Sequence, residues 1–205
     1  MNSETKKHLK RNWAALKILF FVLCIGYFAF RMKDLDKNFQ DKMHEYGLLV
    51  SRYEAKAQFM DQYLPQVSEH AGSDITAKRI LAAVYENSID YGLEPDRVLA
   101  IIDVESDFNP KAKSDAGAIG LMQVMPVTGV YVGSRLGIWI GSDDDLYEIE
   151  TNVRIGCVFL KDCIDRLGEY NGQGFYYAGR HKKHYQEYND KIATARRIWG
   201  EHGAQ

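Results

Sequence analysis

The sequence predicts an all-α protein, and three observations carry the prediction. Apolar residues recur three and four apart in stretch after stretch, the spacing of a single helical face. The connections between those stretches are short. No stretch shows the pattern of a parallel sheet, so helices packing on helices are expected. A chain of 205 residues allows one domain plus accessories. A formal net charge of −2 gives no electrostatic footprint for nucleic acid. Three cysteines are too few for a disulfide framework. Cys24 lies in an apolar run. Cys157 and Cys163 lie in one expected helix, on different faces and about 9 Å apart along its axis, too far for a bridge. Both are expected as buried small hydrophobes.

Residues 1–12 are polar and carry Lys6, Lys7, Lys10 and Arg11. An apolar run follows from Trp13 to Phe30, interrupted by Lys17. As a helix it would span about 27 Å, enough for a bilayer core. Lys17 lies one turn in, where it can snorkel to the headgroups. A cleaved signal would want a small-x-small pair, and none follows. A lipoprotein signal would want a small residue before Cys24, where Val22-Leu23 stands. Residues 13–30 are therefore expected as an uncleaved anchor in the inner membrane. The basic flank 1–12 is a cytoplasmic tail, and the rest of the chain faces outward.

Residues 31–72 are expected as a helical stalk. Phe39, Met43, Tyr46, Val50, Tyr53, Ala57, Met60 and Leu64 alternate four and three apart, a heptad pattern. Gly47 inside it costs about 1 kcal/mol. Two readings of residues 39–64 stay open: packing along the domain, or a weak self-association. Pro65 is expected to end the helix, and Ala71-Gly72-Ser73 to form a hinge into residues 73–205.

Ser73 or Asp74 can cap a helix through Tyr91, with Ile80, Leu81, Val84 and Ile89 inward and Gly92 as the stop. Pro95 suits the first position of the next helix, expected through Phe108. Asn109-Pro110 stops it, because the residue before proline avoids the α region. Pro126 starts a helix through Leu136. In the loop 137–142, Trp139 reads as core filling, with stacking on a sugar face as the alternative. Asp143, Asp144 and Asp145 look like a solvated helix start. They lack the alternating ligands and glycine of a calcium loop, so no metal site is expected. Glu150 to Leu167 is a further helix. After Gly172-Gln173-Gly174 comes a loop carrying Tyr176 and Tyr177. Arg180-His181-Lys182-Lys183-His184 reads as a solvated turn, or as a contact for anionic cell-wall or membrane groups. Tyr188 to Trp199 closes the chain as a helix with Ile192, Ala195 and Ile198 inward.

The chemistry gathers around Glu105. Val98, Ile101, Ile102 and Glu105 share one face of their helix, whereas Asp96, Asp103 and Asp107 lie on a polar stripe expected in water. Burial disfavours the charged carboxylate and raises its pKa. A carboxyl still protonated near neutrality can give its proton to a leaving oxygen. The competing reading is an ion pair at the helix end. The next residues favour the acid. Ser114 to Gly120 is a run of small residues that lets backbone approach a ligand. Met122 and Gln123 suit a groove gripping the apolar face and acetamido group of a sugar, although core packing also explains Met122.

Glu105-Ser106, followed by Ser114-x-x-Gly117-Ala118-x-Gly120-Leu121-Met122-Gln123-x-Met125-Pro126-x-Thr128, resembles the signature of the soluble-lytic-transglycosylase family. That family shares its fold with goose-type lysozyme. The resemblance implies a lysozyme-like all-α catalytic domain, with at most a small irregular hairpin near the signature loop. It implies Glu105 as catalytic acid and no cofactor. Ser106, Ser114, Gly120, Leu121, Met122 and Gln123 become groove residues, with Ser106 positioning the glutamate. Asn152-Val153-x-x-Gly156 is similar to the family's second element, which adds Asn152. Tyr176 takes the place of the family tyrosine that faces the glutamate and is expected, with Ser106, to position it, while Tyr177 stands where the family has asparagine.

Most glycosidases need two carboxylates across the scissile bond. One is evident here, so the nucleophile has to come from the substrate, and an N-acetylated amino sugar carries one in its 2-acetamido oxygen. The expected reaction is non-hydrolytic cleavage of peptidoglycan strands between N-acetylmuramic acid and N-acetylglucosamine, leaving a 1,6-anhydro ring. The rival readings are a lysozyme-type hydrolase and a catalytically idle scaffold. The anchored format also suits local opening of the wall for a secretion, conjugation or pilus apparatus.

Overall fold

Where the sequence places a cap or a breaker, the chain usually turns. The computed structural model describes residues 3–202, with side chains at residue 17 and from 20 to 200. Among them it has seven α-helices: α1 (Ser3–Ala71), α2 (Asp74–Tyr91), α3 (Pro95–Ser106), α4 (Pro126–Leu136), α5 (Ile149–Leu167), α6 (Glu169–Ala178) and α7 (Tyr185–His202). Short 3-10 turns lie at Asp143–Tyr147 and Lys182–His184.

The chain divides into two compact units, one up to Glu54 and one from Ala55 onward. In the first, Phe20, Phe21, Leu23, Ile25 and Phe28 are exposed, as are Phe39, Met43, Tyr46, Val50 and Tyr53 of the heptad stripe. Among the described residues no helix is long and apolar enough to cross a membrane. The span expected at 13–30 and the tail expected at 1–12 lie partly or wholly outside the residues with described side chains.

The second unit begins with the last turns of α1. Here the expectation for Pro65 fails, because the helix runs through it to Ala71. An internal proline costs about 3 kcal/mol in lost hydrogen bonding and ring contact. Phe59, Tyr63 and Val67 are buried around it. At about 1.5–3 kcal/mol for each side chain taken out of water, their burial offsets that cost. Phe59 meets Tyr85 of α2 with ring centroids 5.4 Å apart, and Tyr63 meets Trp199 of α7 at 6.1 Å.

Within this unit α2 is capped as expected, Ser73 Oγ accepting from Thr76 N at 3.5 Å and Gly92 adopting φ 64°. In α3, Val98, Leu99, Ala100, Ile101 and Ile102 are all fully buried, so the helix is enclosed on nearly every side. It packs between α2 and α7, while α5 packs on α2, α4 and α6. Arg97, itself buried, ties α3 to α6 through Glu169 and Gln173. Arg196 of α7 reaches Asp96 at 2.8 Å. Cys157 and Cys163 are free and buried, and burial pushes both thiols up, Cys163 to about 11.

Several local expectations are corrected. The stretch 169–178, read as a loop from Gly172 on, is helix α6; Gly172 and Gly174 are there because a Cβ would strike Ile164 of α5 and the Tyr185 ring. Trp139 is 86% exposed instead of filling the core. Ile89 of α2 faces solvent, and so does Ile198, since α7 turns Tyr188, Ile192, Ala195 and Trp199 inward. Asp103, expected in water, accepts from Trp199 Nε1 at 3.0 Å.

Candidate active site

The site starts where α3 stops. The helix ends at Ser106, two residues before the expected Phe108, because Asp107 and Phe108 adopt φ 50° and 56°. Two consecutive left-handed residues without glycine carry strain, of order 1–3 kcal/mol each. Burial holds them there: Phe108 is fully enclosed and meets Trp199 edge-on at 5.1 Å. The turn leaves Glu105 at the helix end and sends the following loop back across it.

That loop is built from its own backbone. Ser114 Oγ accepts from Ala118 N at 3.0 Å. Ile119 and Val124 exchange hydrogen bonds of 3.0 and 2.9 Å, a small irregular hairpin of isolated bridges. Gly120 has φ 74°, and a Cβ there would collide with the Asn152 amide and Leu146 O. Three side chains then fasten the loop to the helices. Ser106 Oγ of α3 lies 2.9 Å from Leu121 O and 3.0 Å from Ile102 O. Asn152 of α5, nearly fully buried, accepts from Met122 N at 2.8 Å and donates to Ile119 O at 2.8 Å and Leu146 O at 2.7 Å. Tyr176 OH of α6 donates to Met122 O at 2.7 Å.

These contacts re-sort the residues expected at the groove. Leu121 and Met122 are fully buried, and Met122 packs its sulfur against Gly156. Core packing is thus the reading the structure supports for Met122, and Leu121 is likewise turned away from the groove. Asn152 and Ser106 spend their polar atoms on loop backbone. Gln123, at φ 46°, keeps its amide at the groove while Nε2 donates to Gly120 O at 2.9 Å.

A groove of about 640 Å³ lies over Glu105, walled by Ser114, Gln123 and Met125 on the loop side and by Tyr176, Tyr177, His181, Lys183 and His184 on the other. Glu105 is the one carboxyl lining it among the described residues. Burial raises Glu105 to about 7, opposed by a hydrogen bond from Tyr188 OH to Oε1 at 2.7 Å. No basic side chain pairs with it among the described residues, so the ion-pair reading drops out. Burial also pushes the Tyr176 and Tyr188 hydroxyls well up, so both remain donors.

Sequence reasoning missed Tyr188. It expected Tyr176 as the phenol that positions Glu105, but Tyr176 holds the loop and Tyr188 holds the acid. The signal was available only as a face: Tyr188 shares the buried stripe of α7 with Ile192, Ala195 and Trp199. Tyr177, in the asparagine position, stacks flat on Tyr188 with centroids 4.4 Å apart and planes 4° from parallel.

The profile of the Transglycosylase SLT domain matches residues 83–198. Membrane-bound lytic murein transglycosylase C of Glaesserella parasuis is 39% identical over 99 residues, which is 47% of this chain and 27% of that protein. The transglycosylase of Enterobacteria phage PRD1 is 33% identical over 84 residues, 41% of this chain and 28% of the phage protein. The aligned region therefore spans only about a quarter of the length of these relatives. An inactive mutant of lytic transglycosylase Slt from Pseudomonas aeruginosa superposes with a TM-score of 0.53 at 24% identity, covering 58% of this chain and 24% of that one. That likeness concerns the fold.

Proposed function

The chain belongs to the Transglycosylase SLT domain family, and from that premise we propose that it is a peptidoglycan lytic transglycosylase. It cleaves the β-1,4 bond between N-acetylmuramic acid and N-acetylglucosamine and leaves a 1,6-anhydro end. The observation that carries this reading is Glu105: a lone groove carboxyl raised to about 7. Such a group is about half protonated at neutrality, so it can serve as an acid and also as a base once its proton is gone. With no second carboxylate lining the groove among the described residues, the substrate's acetamido oxygen is left to stabilise the sugar cation.

In the first step Glu105 gives its proton to the glycosidic oxygen, the C1–O bond breaks, and the acetamido oxygen bonds to C1. In the second, the Glu105 carboxylate takes the proton of the C6 hydroxyl. O6 then attacks C1 and displaces the acetamido oxygen. The acid is regenerated and no water is consumed. Tyr188, donating to Oε1 at 2.7 Å, stabilises the carboxylate between the two steps. Ser106, Asn152 and Tyr176 keep the loop wall in place through its backbone. Purified cell wall digested with the full chain tests the reading by mass spectrometry. Ends one water lighter than hydrolysis products are expected, and they should vanish with Glu105→Gln. Hydrated ends from the intact enzyme would establish hydrolysis instead.

We further place the catalytic unit outside the inner membrane, tethered through 13–30. Support comes from the basic flank before that apolar run, the exposed apolar side chains of Phe20 to Phe28, and the membrane-bound relatives. Extraction of membranes with alkaline carbonate should leave the chain in the pellet, and release into the supernatant would rule the tether out.

A further inference from the structure

One wall of the groove is cationic, and the reaction on an uncharged glycan backbone gives it nothing to do. His181, Lys183 and His184 line the same groove as Glu105. They stand on a short, pinned turn. Helix α6 ends at Gly179 with φ 56°, and Tyr185 OH holds Gly179 O. His181 N donates to Ala178 O at 3.1 Å and His184 N to His181 O at 3.1 Å. The Tyr185 ring then seats against Gly174 of α6. Arg180 precedes the three in sequence, Lys182 lies between His181 and Lys183, and both are exposed.

A run of cations on a surface turn ordinarily faces water and recognises nothing. Two features separate this one. It borders a walled groove beside the reacting acid, and among the described residues its charge is answered only in part. Among the described residues no carboxylate pairs with Lys183. Glu187, close enough to His184 to feel its charge, is taken up by Lys191 at 2.8 Å. The one carboxyl lining the groove among the described residues, Glu105, is raised to about 7 and so carries only about half a negative charge near pH 7, against the full charge of Lys183. The groove thus presents net positive charge to whatever enters it.

Resting on the lytic-transglycosylase reading, we infer that His181, Lys183 and His184 bind carboxylates of the peptide stems carried by the strand and make the enzyme selective for stem-bearing glycan. The chemistry leaves few other sources of negative charge in the substrate. N-acetylglucosamine is uncharged, and muramic acid bears its acid on the lactyl arm at O3, which continues into the peptide. A stem rising from a sugar near Glu105 meets the cationic wall of the same groove. Opposite charges a few ångströms apart attract across such a groove even though all three side chains are exposed. The attraction still reaches solvent, so salt should screen it.

The test separates this inference from the catalytic reading by measuring binding without turnover. The full chain carrying Glu105→Gln, in detergent, is titrated with purified strands bearing intact stems and with strands stripped by an amidase whose freed lactyl carboxylates have been converted to methylamides. A preference of about tenfold for stem-bearing strands is expected at low salt, collapsing to near unity at about 1 M salt, where the Debye length is about 3 Å. Adding His181→Gln, Lys183→Gln and His184→Gln together should remove the preference, and Lys183→Gln alone should reduce it. A thermal melt establishes that each variant is folded, and the single variant serves if the triple one is not. Equal binding to both strands, or a preference that survives the substitutions, overturns the inference. So does a triple variant that loses affinity for phosphatidylglycerol vesicles while keeping its stem preference, because the wall would then serve lipid. Absence of anhydro ends from the intact enzyme would count against the catalytic reading and not against stem binding.

Discussion

Replacing the acid should make the protein more stable, and the gain should depend on pH. Glu105 moves from an ordinary 4.5 to about 7 on folding, chiefly through burial. Below about pH 4.5 both the folded and the unfolded chain hold the proton, and the group contributes no pH dependence. Between 4.5 and 7 the folded state keeps a proton that the unfolded state has released, so stability falls as pH rises. Above 7 the folded chain carries a half-buried carboxylate and the loss levels off. At 1.36 kcal/mol per pH unit the full loss comes to about 3 kcal/mol, and partial water access trims it toward 2. Glu105→Gln removes the titration while its carbonyl can still accept from Tyr188. The variant and the parent should therefore match within about 1 kcal/mol at pH 5, and the variant should lead by about 2–3 kcal/mol at pH 8. Urea unfolding at both pH values, followed by the fluorescence of buried Trp199, measures this. All other titrating groups are common to both chains and cancel in the difference. A gap that stays the same at pH 5 and pH 8 would refute the claim that burial, and not a partner, sets the proton on Glu105.

Two further substitutions probe the elements around the acid. Tyr188→Phe removes the hydrogen bond that favours the Glu105 carboxylate, so the acid should titrate higher. A bond to a charged group is worth about 1.5–3 kcal/mol, which places the alkaline limb of kcat/KM roughly one to two pH units higher, with a lower maximum; an unmoved limb would remove Tyr188 from the site. Asn152→Ala strands Met122 N and Leu146 O in the interior, while Ile119 O keeps its bond from Val124 N. At about 1–3 kcal/mol for each unsatisfied group, with some rescued by water, a loss of about 3–5 kcal/mol is expected in urea unfolding, against less than 1 if the amide merely faces substrate.

Much of this protein could be read along the chain because helix signals are local. Pro95 and Pro126 start their helices, Ser73 caps and Gly92 stops, and the structure has each at the expected position. The face shared by Val98, Ile101, Ile102 and Glu105 follows from spacing alone, and it put the acid among hydrocarbon side chains before any fold was known. The errors share a cause. Pro65 should break a helix by local rules, yet burial of Phe59, Tyr63 and Val67 by partners distant in sequence carries the helix through. Trp139 is hydrophobic enough for a core, but nothing local says whether a core will be there to meet it.

The sequence by itself determined the helical class, the acid, and the glycine-rich loop that follows it, since each depends on residues within a few turns of one another. Tertiary structure alone decided which phenol holds Glu105, because Tyr188 lies 83 positions away on another helix. It also decided that Met122 faces the core and that Asn152 secures the loop. Periodicity fixes a residue's face on its own helix, whereas packing chooses what that face will touch.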